Sequence, residues 1–142
     1  DSDARGVFFG MSLSTDYGAF VRAIMEGVAL SMRDCMEIMP AAKKSISPIP
    51  LGGGAANSRV WCQIFADVLN RPIVRLKSGE TETLGDFIIA AESVGLTDVT
   101  RDFGKKLAAE SEVLYPDSAA ASVYDKAYQK YKAVYQNTKT LF

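Results

Sequence analysis

The residues with the most chemical potential stand together at Gly52-Gly53-Gly54-Ala55, with Asn57 and Ser58 just beyond. An apolar stretch from Ser45 to Leu51 runs straight into the glycines, and a helical pattern opens after them at about Ser58. A strand that ends in glycines and opens a helix is a phosphate-binding geometry. Glycine lets the backbone lie close to an anion, and the free N–H groups and dipole of the first helical turn then face it. The same pattern also serves as a purely structural turn, and both readings stand on the residues alone. Asn57 and Ser58 can each cap the helix or bond a ligand. No Lys-Ser or Lys-Thr follows the glycines, so this is not a Walker loop. It is a near miss to the dinucleotide fingerprint. Gly52 and Gly54 match, Asn57 replaces the third glycine, and Arg75 at the end of the next strand is placed to read a 2′-phosphate.

Other chemistries are excluded by what the chain lacks. It contains no histidine, which removes Ser-His-Asp and Cys-His catalysis within the chain and every zinc site that needs imidazole. Its cysteines, Cys35 and Cys62, lie in apolar, helix-like surroundings without a CxxC pair, and read as reduced core residues. Arg22, Glu26, Arg33 and Glu37 share one face of a predicted helix. They either line a site or form a solvated, salt-bridged face. Tyr124, Tyr128, Tyr131 and Tyr135 fall at i, i+4, i+7 and i+11. Such a stripe can stack on sugars or bases, but at helical spacing it reads as a packing face.

These residues need elements to hold them. Val7 to Met11 reads as a strand or the end of one. Thr15 and Asp16 start a helix that runs from Tyr17 to Met39, where Pro40 stops it. Its apolar stripe is Phe20, Ile24, Val28, Ser31, Cys35 and Ile38. The strand before the glycines holds Pro48 and Pro50, so it is short, irregular or at an edge. The helix from about Ser58 to Leu69 carries the stripe Trp61, Ile64, Phe65 and Val68, with Asn70 as a left-handed cap and Pro72 as a stop. Ile73 to Leu76 is the next strand, and Lys77-Ser78-Gly79-Glu80 a turn. Leu84 to Val94 is a third helix, with Thr83 and Asp86 at capping-box spacing and Gly95 as its stop. After a polar stretch, Pro116-Asp117 opens a final helix to about Lys139. The alternation of strand and helix predicts an α/β fold without internal repeat or linker.

Composition sets the frame. The chain has 142 residues, 48% apolar and 23% charged, which fits one domain with a real core. A net charge of −1 argues against nucleic acid held on a broad basic surface. No run of about 18 apolar residues crosses a membrane. No basic-then-apolar segment opens the sequence, and the expectation is a cytoplasmic protein. The first residues are Asp1-Ser2-Asp3, without Met, and the chain is expected to be a piece of something longer.

Several segments fall into one pattern. Ala4-Arg5-Gly6-Val7-Phe8-Phe9-Gly10-Met11 is followed by Arg22-Ala23-Ile24-Met25-Glu26-Gly27-Val28-Ala29. Next come Gly52-Gly53-Gly54-Ala55 and Trp61-Cys62-Gln63-Ile64-Phe65-Ala66-Asp67-Val68, then Arg71-Pro72 and Leu84-Gly85. In order and spacing the sequence resembles the C-terminal part of the FGGY carbohydrate kinases, most closely the xylulokinase-like members, over nearly its whole length. The resemblance implies an actin-like ATPase fold, of ribonuclease H type, in which residues 1–142 form the C-terminal, nucleotide-binding lobe of a two-lobed sugar kinase. It implies ATP-dependent phosphorylation of a sugar hydroxyl, D-xylulose to D-xylulose 5-phosphate in the nearest members, with gluconate and glycerol kinases as alternatives. The dinucleotide-binding domain stays as a rival.

By the same resemblance ATP binds with Mg2+ at Gly52, Gly53, Gly54, Ala55, Asn57 and Ser58, while Trp61, Gln63 and Asp67 serve as helix framework. The partners implied are ATP or ADP and a sugar held mainly by an N-terminal lobe; a homodimer stays open, and neither nucleic acid nor membrane is expected. Ala19, Pro48, Pro50 and Asp86 depart from the pattern, and Asp86 would set a charge close to a packing face. The family's Asp-Gly-Thr phosphate loop and its catalytic aspartate are not in this sequence. No catalytic residue and no metal ligand is therefore expected here, and the chain alone is expected to be inactive.

Overall fold

In a computed structural model that describes residues 1–40, 46–76 and 81–142, helix α1 spans Tyr17–Glu37. Asp16 starts it, its carboxylate accepting the Ala19 N–H at 2.7 Å. Strand β1 (Ile49–Leu51) leads into a one-turn helix α2 (Gly53–Ala56) and then α3 (Arg59–Leu69). Asn70 ends α3 in the left-handed region at φ 49°, a conformation its short polar side chain tolerates, and its N–H reaches back to Ala66 and Asp67. Strand β2 (Ile73–Arg75) returns parallel to β1, with Ile49 beside Ile73 and Leu51 beside Arg75.

Helices α4 (Thr81–Ser93) and α5 (Thr97–Ala109) pack on each other. Gly95 turns the chain between them at φ 81°, the stop that the sequence predicts. Strand β3 (Glu112–Leu114) joins β2 antiparallel, completing a sheet of order β1-β2-β3. Asp117 then caps α6 (Ser118–Thr138) through the Ala119 N–H at 2.9 Å, and a short 3-10 turn, Lys139–Leu141, closes the chain.

Helix α3 is the centre. It packs on α1, α6 and β2. Ile64, Val68 and Ile73 are fully buried, and Phe65, Leu30, Tyr124 and Tyr128 close round them. Each such apolar side chain contributes about 1.5–3 kcal/mol by leaving water. The predicted stripe of α3 is thus the one that faces the core, with Trp61 at its edge, half-buried.

Helix α1 reverses the expectation. Its predicted apolar stripe faces outward: Ile24 is 48% exposed, Val28 46% and Ile38 84%. The buried residues are Ala29 and Leu30, which share the face of Arg22, Glu26 and Arg33. That charged face packs against the tyrosines of α6. Arg22 bonds Glu26 at 2.8 Å and the Tyr124 hydroxyl at 3.0 Å, and Tyr124 donates to Glu26 at 2.8 Å. Arg33 pairs with Asp125 at 2.6 Å and lies over the Tyr128 ring. The charges stay favourable there because each has a partner.

Other expectations change. Cys62 is buried, but Cys35 is exposed because it rides on the outward face of α1. Val7 to Met11 forms no strand. Among the described residues no strand pairs with it, and it instead lies along α1, where Phe8 stacks on Phe20 at 4.1 Å. The polar stretch holds α5 and β3. Helix α4 begins two residues before Thr83, so Thr83 lies inside the helix and cannot cap it. Asp86 is exposed and clear of the packing face. The predicted turn at 77–80 lies outside the described residues. No helix among the described residues is long and apolar enough to cross a membrane.

Candidate functional site

The three glycines close the C-terminal end of β1 and differ in what they need. Gly52 is extended, at φ −121° and ψ −169°. Gly53 has φ 67°, in the left-handed region that favours glycine. Gly54 has no such constraint: a Cβ built on it would meet no protein atom within 4 Å. It is exposed, while Gly52, Gly53 and Ala55 are half-buried and Ala56 is buried. The fold itself therefore asks for glycine at 53 and not at 54.

The loop does not run directly into α3, as the sequence suggests. It forms its own turn, α2, and Ser58 then starts α3 by accepting the Trp61 N–H at 3.3 Å. Ser58 is thus a helix cap. Asn57 is exposed, and its N–H donates to the Gly54 carbonyl at 3.3 Å. The first amides of α2 have no acceptor within the helix.

The carbonyls that follow are gripped from behind. The Cys62 thiol donates to Ala55 O at 3.5 Å. Arg75 donates through Nε to Ala56 O at 2.6 Å and through Nη2 to Asn57 O at 3.4 Å. Its Nη1 reaches Glu112 at 3.2 Å, directly across the β2–β3 ladder. Arg59 from α3 holds the other oxygen of Glu112 at 2.9 Å. Hydrogen bonding from Arg59, and secondarily from Arg75, keeps the Glu112 carboxyl below its ordinary range despite some desolvation. Burial pushes the Cys62 thiol up, so it stays a neutral donor. With all three nitrogens turned onto the loop and Glu112, Arg75 is not aimed outward as a reader of a 2′-phosphate.

The expected framework residues behave as such. Trp61 Nε1 donates to Met25 O at 3.2 Å, tying α3 to α1. Gln63 bonds Asp67 at 2.8 Å and Tyr115 O at 2.9 Å, and Asp67 accepts the Asp117 N–H at 2.9 Å, anchoring the start of α6. Arg59, Glu112 and the loop-holding role of Arg75 are not evident in the sequence. Their signal lies in β3, three residues without a readable alternation. Among the described residues no group of three or more histidines, cysteines and carboxylates is placed to hold a metal ion.

The model of the FGGY family of carbohydrate kinases, C-terminal domain, matches residues 1–94. The xylulose kinase of Staphylococcus epidermidis is 34% identical over 99% of this chain and 28% of its own length. The glycerol kinase of Staphylococcus haemolyticus is 33% identical over 79% of this chain and 23% of its own. The crystal structure of xylulose kinase from Rhodospirillum rubrum superposes with a TM-score of 0.69 at 29% identity, over 98% of this chain and 28% of that one. The fold is thus the actin-like, ribonuclease H-like α/β fold, in the form of a C-terminal lobe. The chain belongs to the FGGY family of carbohydrate kinases. It spans about 28% of the length of the xylulose kinases it matches.

Proposed function

We propose that this chain is the nucleotide-binding lobe of an ATP-dependent sugar kinase that converts D-xylulose to D-xylulose 5-phosphate. The observation that carries the nucleotide reading is Gly54: a glycine with ordinary backbone and open space above it, on a turn whose N-terminal residue Gly52 offers no side-chain cap. Close approach of a phosphate explains that choice where packing does not. Gly52, Gly53, Gly54, Ala55 and Asn57 would line the phosphates, and Ser58 would hold the loop's exit. The similarity to xylulose kinases supports the ketopentose, and the similarity to a glycerol kinase keeps a smaller polyol as the second reading. The inward aim of Arg75 counts against a dinucleotide site.

Phosphoryl transfer is mostly positioning and charge stabilisation. In this reading the chain binds and orients the nucleotide, and the preceding lobe brings the base and the sugar. That lobe would also offer a surface to cover the apolar face of α1. Mg2+ would arrive with the nucleotide, coordinated chiefly by its phosphates and water. Thermal melts with MgADP and with NADP test the assignment. Saturating MgADP should raise the melting temperature, a bound ligand at 100 times its Kd being worth about 2.7 kcal/mol; NADP should not. Stabilisation by NADP alone would reverse the assignment.

A further inference from the structure

We propose that Arg75 is a positioning residue of the glycine loop, holding its carbonyl end inward so that its amide end is presented to the nucleotide. The proposal rests on the nucleotide reading above. Consecutive carbonyls, at Ala55, Ala56 and Asn57, are tied to groups from other elements, and Arg75 holds two of them. In a single helical turn, carbonyls point to one end and N–H groups to the other. A guanidinium fixed on the carbonyl end therefore sets the direction of the amides at Gly53, Gly54 and Ala55. A turn of four residues is too short to hold itself.

The fork matters as much as the charge. Nε and Nη2 reach neighbouring carbonyls while Nη1 stays on Glu112, a division that only a planar guanidinium makes. Glu112 fixes the fork's angle across the strand pair, and Arg59 fixes Glu112. The chain links α3, β3 and β2 to one loop, which sets the clamp apart from ion pairs between exposed helical neighbours, such as Asp98 with Arg101 and Asp102 with Lys105.

The test uses the 142-residue chain with R75Q, R75K and E112Q. Hydrogen exchange of the Asn57 and Ser58 amides, bonded to Gly54 and Ala55 carbonyls at 3.3 and 3.2 Å, reports the loop without any ligand. Calorimetric titration with MgADP reports its use. R75Q should speed that exchange and weaken MgADP roughly tenfold or more, the effect of losing a charged hydrogen bond. R75K should recover part of both, since an ammonium reaches one carbonyl but not two. E112Q should fall between wild type and R75Q. Should R75Q not fold, R75K and E112Q carry the comparison. Unchanged exchange and unchanged MgADP affinity in these variants, with only a lowered melting temperature, would overturn the proposal and leave Arg75 a sheet-edge brace. Faster exchange in a chain whose wild type binds no MgADP would confirm the clamp but remove the nucleotide, overturning the proposal together with the reading it rests on.

Discussion

Gly53 and Gly54 are neighbours that ask different things of the chain. At Gly53 the backbone is left-handed, and an L side chain there costs about 1–2 kcal/mol. At Gly54 a Cβ meets open space in a helical turn, where alanine is favoured over glycine by roughly 0.5–1 kcal/mol. Urea unfolding should show Gly53→Ala clearly destabilised and Gly54→Ala equal to wild type or slightly more stable. The sequence shows the three glycines but not which one carries the strain, because backbone angle leaves no mark on residue type. Tyr128 gives a second test at this scale. Burial first, then its hydrogen bond to Asp34, pushes the phenol up to about 12, against an ordinary value near 10. The folded state thus favours the neutral form. That stabilisation is complete below pH 10 and is lost as the pH rises from about 10 towards 12, at about 1.4 kcal/mol per unit. Wild type should lose stability more steeply over that range than Tyr128→Phe, with Tyr124, also pushed up by burial, supplying the remaining slope.

Among the elements, α3 and α6 were legible in extent and in packed face, and α1 in extent alone. Helix α3 has one apolar face and meets the core with it, and both α1 and α6 start where an aspartate can cap. Helix α1 carries its broadest apolar stripe opposite its charges, so periodicity alone finds that stripe and not the packed face. The packed face carries Arg22, Glu26 and Arg33 because α6 brings tyrosine hydroxyls and Asp125 to meet them. That pairing depends on residues about a hundred positions away and no local pattern contains it. Helix α5 did leave a signal, Val99, Phe103 and Leu107 at i, i+4 and i+8, diluted by the charges between them. The inversion of α1 predicts unequal costs. Leu30→Ala should lose about 2–5 kcal/mol as a buried truncation, and Ile24→Ala under about 1 kcal/mol as a surface one. Denaturation midpoints with unchanged slopes would show it; equal losses would place Ile24 in the core after all.

For the whole molecule, the family and the lobe were legible because four blocks recur in order, and the glycine loop was legible as a place. How the loop is held was not, since Glu112 stands on a strand of three residues. A chain matching 28% of the length of its xylulose kinase relatives is expected to bind nucleotide without transferring phosphate. The purified chain should give no D-xylulose phosphorylation in a coupled assay, far below the 1–100 per second usual for kinases. The central claim is that the glycine loop takes the nucleotide phosphates, and calorimetric titration of MgADP into wild type, Gly54→Ala and Gly54→Asp tests it most directly. The account predicts binding by wild type, weaker binding by Gly54→Ala, and none by Gly54→Asp, whose carboxylate meets the phosphates as a like charge, with melting temperatures close to one another throughout. Binding of MgADP by Gly54→Asp as tight as by wild type would contradict it.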